Sequence, residues 1–328
     1  MRIELSEDPR DFTRRDWSDL VEADPDATFF HQPRYLKLYW EEFGHDGDLL
    51  LAFAVSDDGE PVGAAAFERL DGLLRFLGGT EVTDYMGPVA APGSGEAVAG
   101  ALLDALVERD DWREADLQGL PEDSPWLPRL QTAAAARGLS VEPGLDAAAP
   151  FLGLPATWEE YLAGLPGKLR HEVKRKARRL DEELGGHTVV FATPESLVAD
   201  LGLFAEMHRS SEGPKGRFMV PGMELFFRRL GELFIPEGEF HLAFLEADGA
   251  RSAGAIAFRH RGVFYLYNSA FDRSLQRLAP GMVLVADLIE HAIKDGCQAF
   301  DLLKGDLEYK YRFGSVRKEV RRLEVKRR

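Results

Sequence analysis

Apolar and polar positions along the chain fall into two runs of the same design. Residues Leu51 to Phe67 read LAFAVSDDGEPVGAAAF, and Leu242 to Phe258 read LAFLEADGARSAGAIAF. Aligned without a gap at an offset of 191, they agree at 8 of 17 positions (Leu51, Ala52, Phe53, Asp57, Gly63, Ala64, Ala66 and Phe67), where composition alone gives about one or two. Each run has apolar β-formers, an Asp/Gly turn and a second apolar stretch, the pattern of a strand, a hairpin and a strand. A third strand is expected near Leu73 to Leu77 in the first half and over Val263 to Phe271 in the second. A helix and a short strand then follow in each half, over 100–108 and 114–118, and over 282–295 and 298–303. Asp116 and Asp301 fall in matching places, each followed by leucine. The pattern predicts one α+β unit used twice, with domains over 1–150 and 151–328.

A helical insert separates the two units. From Leu165 onward, Leu169, Val173, Ala177, Leu180 and Leu184 step by three or four, one stripe of a helix that Gly185 and Gly186 end. Lys168, Arg170, Lys174, Arg175, Lys176, Arg178 and Arg179 fill its other faces. Such a surface is ordinarily just solvated; the functional alternative is a landing face for aminoacyl-tRNA or for a lipid or sugar-phosphate acceptor. A second helix is expected over 195–210, then an exposed loop from Glu212 to Gly222.

Composition narrows the class. The 328 residues are 45% hydrophobic and 29% charged, the profile of a soluble globular chain with room for two cores. No apolar run is long enough to span a bilayer, so membrane insertion is not expected. The single cysteine, Cys297, leaves no internal disulfide and no cysteine-based zinc cluster; it reads as a packed thiol in a reducing, cytoplasmic setting, and no metal is expected. Charge is uneven: 12 basic against 31 acidic residues in 1–150, and 28 against 25 in 151–328. The acidic first half argues against DNA as a partner and directs any polyanionic ligand to the second half.

Several chemistries lose their support because their motifs are missing: there is no phosphate-binding P-loop, no G-x-G-x-x-G after a strand, no H-E-x-x-H and no G-x-S-x-G. What remains is the end of the second repeat. Ser274 to Met282 lead into a helix N-terminus, whose backbone N–H groups and dipole, with Gln276 and Arg277 alongside, suit a pyrophosphate. Next come Phe300-Asp301-Leu302-Leu303-Lys304-Gly305 and Tyr309-Lys310-Tyr311-Arg312-Phe313. Asp301 sits on an apolar face, so it is either ion-paired or able to move protons.

The duplicated unit, the Q-x-x-A-P-G-M run at Gln276 to Met282 and the segments at Phe300 and Tyr309 resemble the GNAT-type acyltransferases grouped with the CelD/BcsL proteins, relatives of the FemAB peptidyltransferases. Phe30-His31-Gln32-Pro33, Asp84-Tyr85-Met86-Gly87-Pro88, the basic helix and His208 agree with that pattern. The resemblance implies two tandem GNAT-like domains and transfer of an acyl group from acetyl-CoA or another acyl-CoA to an amine or hydroxyl of a small-molecule or cell-envelope acceptor. Aminoacyl-tRNA is the alternative donor, and a non-catalytic cleft-binding relative the alternative role. It further implies that the fourth and fifth strands of the second unit splay, with the thioester carbonyl bonded to backbone N–H near Tyr267 and Asn268. On that basis Asp301, Tyr267 and Lys310 are the candidate catalytic residues. Asn268, Ser269, Gln276, Arg277, Gly281 and Met282 would hold the coenzyme, and Tyr85, His208, Lys304, Tyr309 and Phe313 the acceptor. The usual GNAT phosphate signature, [Q/R]-x-x-G-x-[G/A], has Ala279 here in place of its first glycine. The first repeat, Val89 to Gly95, has no basic residue at the corresponding place.

Overall fold

The computed structural model describes residues 1–44, 47–211 and 216–327. The chain divides into two compact units, Met1–Ala148 with Lys318–Arg328, and Ala149–Arg317. In chain order the elements are β1 (Arg2–Ser6), α1 (Arg15–Ala23), α2 (Pro33–Phe43), β2 (Asp48–Val55), β3 (Pro61–Leu70), β4 (Leu73–Phe76), β5 (Val89–Ala90), α3 (Gly95–Glu108), β6 (Glu114–Pro121), α4 (Trp126–Ala136) and β7 (Ser140–Gly153). They continue with α5 (Trp158–Gly164), α6 (Gly167–Leu184), β8 (Thr188–Phe191), α7 (Leu197–Arg209), α8 (Pro221–Phe234), β9 (Phe240–Ala247), β10 (Ala250–His260), β11 (Val263–Phe271), α9 (Pro280–Lys294), β12 (Ala299–Asp301), α10 (Glu308–Tyr311) and β13 (Val316–Lys326).

The two units share a topology. In the first, strands run in the order β1, β2, β3, β4, β6, antiparallel except for the parallel pair β4/β6. In the second, β8, β9, β10, β11 and β12 repeat that order, with β11/β12 as the parallel pair. The match reaches further than the sequence repeat, because α7 and α8 lie between β8 and β9 as α1 and α2 lie between β1 and β2. Pro33 and Pro221 both stand in the first turn of their helices, where a missing N–H costs nothing. The insert proper therefore shrinks to α5 and α6. Each unit also takes a strand from beyond its own repeat: β13 pairs with β6 in the first unit, and Phe151 to Gly153 of β7 pair with β12 in the second.

Register corrects the gapless alignment. Leu51 pairs with Ala66 in the first hairpin, whereas Leu242 pairs with Ile256 rather than Ala257 in the second. The slip arises at the turns. In the first unit Val55 and Pro61 close a longer loop; in the second, Ala247 and Ala250 close a two-residue turn at Asp248 and Gly249, both left-handed (φ 49° and 70°), and Ser252 is bulged. A one-residue slip normally exposes a buried face, but β10 is buried on both faces from Ala253 to Phe258, so it survives here.

Each unit has its own apolar core. In the first, Phe67, Leu74 and Phe76 of the sheet pack with Leu102 and Leu103 of α3 and with Trp112. In the second, Ala255, Phe264 and Phe300 pack under α9 through Leu284, Leu288 and Ile289, and the apolar stripe of α6, Val173 and Leu180, joins them. Cys297 is buried there, its thiol pushed up by burial, as expected of a structural cysteine.

A titratable latch ties α6 to α9. His187 bonds Asp181 through Nδ1 and Asp287 through Nε2 (3.0 Å), and the Asp287 bond is the main reason its pKa is pushed up to about 9. A histidine raised above its unfolded value stabilises the fold fully below that value, near 6.5, and the contribution fades as pH rises through about 9. Discounted for solvent screening, His187→Gln is expected to cost about 1–2 kcal/mol at pH 6 and almost nothing at pH 10. Urea unfolding of both proteins at the two pH values measures the difference.

Candidate functional site

The second unit opens where its parallel pair ends. Only Val263, Phe264 and Tyr265 of β11 pair with β12, opposite Ala299, Phe300 and Asp301. β11 runs on to Phe271, paired with β10 and bulged at Tyr267, between Leu266↔Ala257 and Asn268↔Ile256. β12 stops at Asp301 for a local reason. The Asp301 Oδ1 accepts the Leu303 N–H at 2.8 Å, and Leu303 takes a left-handed conformation (φ 57°), which turns the chain away from β11. Main-chain groups of a strand left beside a departing neighbour are what a carbonyl-bearing ligand can use.

Lys310 fixes this turn. Its ammonium, on a side chain only 4% exposed, donates to the carbonyls of Leu302 (2.7 Å), Leu303 (2.9 Å) and Lys304 (2.7 Å). An ammonium has three donors, and three carbonyls take them. Gly305 (φ 120°) completes the turn, its Cα so close that an added Cβ would stand 3.2 Å from the Lys310 Nζ. Lys310 is thus a clamp on the turn that ends β12. Asp301, 4% exposed and engaged with Leu303, helps build the same turn.

Five of the expected residues do converge beside the gap. The Tyr309 hydroxyl, on α10, has its pKa raised by burial and drawn back by the Ser269 side chain of β11. Asn268 Oδ1 accepts the Ser269 N–H at 2.9 Å and meets His208 Nε2, from α7, at 3.1 Å. Because that oxygen can only accept, His208 Nε2 is the protonated nitrogen. His208 is fully buried, with the rings of Phe204 and Phe218 5.8 Å away. Tyr267 stands among Phe218, Phe227 and Phe258, ring centroids 5.4–6.4 Å apart. Neighbouring Tyr265 is buried and held protonated by burial and the nearby Asp301 charge.

At the start of α9, Ala279 adopts the left-handed region (φ 53°, ψ 49°), a conformation costing a non-glycine residue about 1 kcal/mol and natural to the glycine of the phosphate signature. Gln276 and Arg277 lie exposed on the 3-10 turn before it, and Arg277 pairs with Glu183 at 2.5 Å. Gly281 lets the helix approach β11: a Cβ there would meet Phe271 at 3.3 Å. Met282 packs against the core beneath.

The remaining expected residues are placed otherwise. Lys304 is half-buried on the clamped turn. Phe313 is fully buried, its carbonyl accepting the Tyr161 hydroxyl at 2.9 Å, so its ring is core. Tyr85 lies in the first unit, buried edge-on to Phe30. That unit fills its own gap. Past the pairs of Leu73, Leu74 and Arg75 with β6, the chain returns and Met86 N–H bonds to Gly119 O at 2.9 Å, leaving a void of about 10 Å³ beside Asp116 and Gln118. Such a void barely holds one water. Asp116 is bonded to Gln118 and paired with Arg322 (3.1 Å). Among the described residues no group of side chains could hold a metal ion, and no helix is long and apolar enough to cross a membrane.

Comparison with known proteins gives the same architecture. Residues 167–311 match the Acetyltransf_6 family model, described as an acetyltransferase (GNAT) domain. No curated protein matches the chain. Among solved structures, FemX is similar at 13% identity over 98% of this chain and 97% of its own, with a TM-score of 0.69. The structure of L-PGS from Bacillus licheniformis is similar at 13% identity over 98% of this chain and 92% of its own, TM-score 0.60. A tandem GNAT protein from the clavulanic acid biosynthesis pathway is similar at 14% identity over 98% of both chains, TM-score 0.50. The chain is an α+β protein of two tandem GNAT-like folds, and residues 167–311 are similar to a GNAT acetyltransferase domain.

Proposed function

We propose that this tandem GNAT-like chain is an acyltransferase, with acyl-CoA as donor and an amine of a small molecule or cell-envelope saccharide or peptide as acceptor. The gap at the end of β12 receives the thioester. One contrast carries the reading: past its parallel pair the first unit bonds Met86 N–H to Gly119 O, whereas among the described residues no backbone bond joins β11 to the chain after Asp301, where Asp301 and Lys310 hold a turn. A resemblance to the CelD/BcsL type fits this division of labour.

The reaction balances with one proton moved. The amine nitrogen attacks the thioester carbonyl, the C–N bond forms, the C–S bond breaks, and the proton lost by nitrogen reaches sulfur. Backbone N–H groups of the bulged stretch at Tyr267 and Asn268 face the developing oxyanion. Tyr309, kept protonated by burial, gives its proton to the departing sulfur and regains one from the amine. His208 and Asn268 are positioning residues that hold the bulged strand. The pyrophosphate lies at the start of α9, with Arg277 released from Glu183.

Aminoacyl-tRNA is the second reading, favoured by Pro280, which removes an N–H at the phosphate-facing turn, and by the cations of α6. Thermal-shift titration separates the two. Acetyl-CoA at 100 times its Kd is expected to stabilise the second unit by about 2.7 kcal/mol, whereas an unmoved transition with acetyl-CoA and a shift with charged tRNA support the second reading.

A further inference from the structure

The acyl-transfer reading uses none of the cations that begin α6. In the second unit a cavity of about 560 Å³ is lined by Lys168, His171, Glu172 and Arg175 of α6, by Glu308 of α10 and by Arg312 just after it. Positions 168, 171, 172 and 175 are three or four apart and share one face of the helix.

The charge on this helix runs against its dipole. There is no acidic residue in its first turn, and Lys168, Arg170, His171, Lys174 and Arg175 crowd the half where partial positive charge already gathers. Its second half is different, for the cations there are matched: Lys176 with Glu172 (3.1 Å), Arg178 with Glu182 (3.6 Å) and Arg179 with Glu183 (3.4 Å). Across the cavity Arg312 satisfies both acids, Glu172 at 3.2 Å and Glu308 at 2.9 Å. Lys168 and His171 form no ion pair among the described residues. The cavity therefore keeps positive charge that its own acids do not offset, at a helix end that would be more stable without it.

We propose that this cavity binds a phosphate or diphosphate group carried by a small molecule. Several cations converging on one hollow suit a multivalent anion better than a lone carboxylate, which one guanidinium fork satisfies. The volume is that of an ordinary small-ligand site. A polynucleotide would need the positive face to continue, and one turn further on Glu182 and Glu183 cancel it; the chain as a whole carries a net charge of −16. The site stands apart from the acyl-transfer gap and does not depend on that reading.

Inorganic pyrophosphate is the probe, titrated calorimetrically into the full chain at low ionic strength. Saturable binding is expected, weakened about tenfold or more in Lys168→Ala/Arg175→Ala and unchanged in Arg178→Ala/Arg179→Ala, whose cations are already paired. Both variants alter exposed side chains, and unchanged unfolding curves verify that each is folded. Equal affinity in all three proteins overturns the proposal. So does failure to bind pyrophosphate while a single-stranded RNA binds with a steep dependence on salt.

Discussion

Tyr309→Phe is expected to lower turnover about 10²–10⁴-fold, the range for losing a positioned proton donor, with the affinity for acetyl-CoA nearly unchanged. The hydroxyl is buried and held protonated beside the Ser269 side chain, so the variant removes one proton and little volume. A purely structural role would give another result, because the contact of Tyr309 with Ser269 would then be what matters. Ser269→Ala removes that side-chain oxygen and keeps the phenol, and it is expected to retain most activity. Steady-state kinetics of both variants, with acetyl-CoA binding measured separately, decide between the two. Similar losses in both make Tyr309 a strut.

Lys310→Met is expected to destabilise the protein by about 3–5 kcal/mol. The apolar chain fills similar space, but the buried carbonyls of Leu302 and Leu303 and that of Lys304 lose a charged donor at 2.7–2.9 Å. Lys310→Arg is expected not to rescue it, since a planar guanidinium cannot place three donors at the point where these carbonyls meet. Urea unfolding monitored by fluorescence gives the number. A cost under about 1 kcal/mol, the value of an exposed lysine, would contradict the clamp.

Much of the fold was legible because hydrophobic alternation and turn residues carry it. Both hairpins, the strand over 263–271, the helix ending at Gly185 and the matched Asp116 and Asp301 stand where the pattern puts them: Arg75↔Asp116 and Tyr265↔Asp301 are each the last pair of their parallel ladders. Other features depend on what no local pattern records. Half of the identities in the repeat lie one residue out of register, since turn length, not composition, sets pairing. Strand β13 went unread because only Val320, Leu323 and Val325 are buried in a segment otherwise rich in Lys, Arg and Glu. Residues 309–311 lie in the short helix α10, which the sequence pattern does not predict. From sequence Lys310 reads as a catalytic residue, and its clamp on the turn is not legible, because three carbonyls gathered by a left-handed Leu303 leave no trace in side-chain chemistry. His208 was found from resemblance, while its partner Asn268 follows only from the packing of α7 on β11. The end of the expected loop, Glu212 to Gly222, becomes α8 from Pro221, and residues 212–215 lie outside those described.

The claim on which the rest depends is that the second unit alone grips an activated carbonyl with main-chain donors of β11. Hydrogen exchange read by mass spectrometry, with and without acetyl-CoA, addresses it residue by residue. The amides of Tyr267 and Asn268 and those at the start of α9 are expected to slow, with Phe76 to Met86 unaffected. Protection confined to the first unit, or none in β11 at saturating acetyl-CoA, would contradict it.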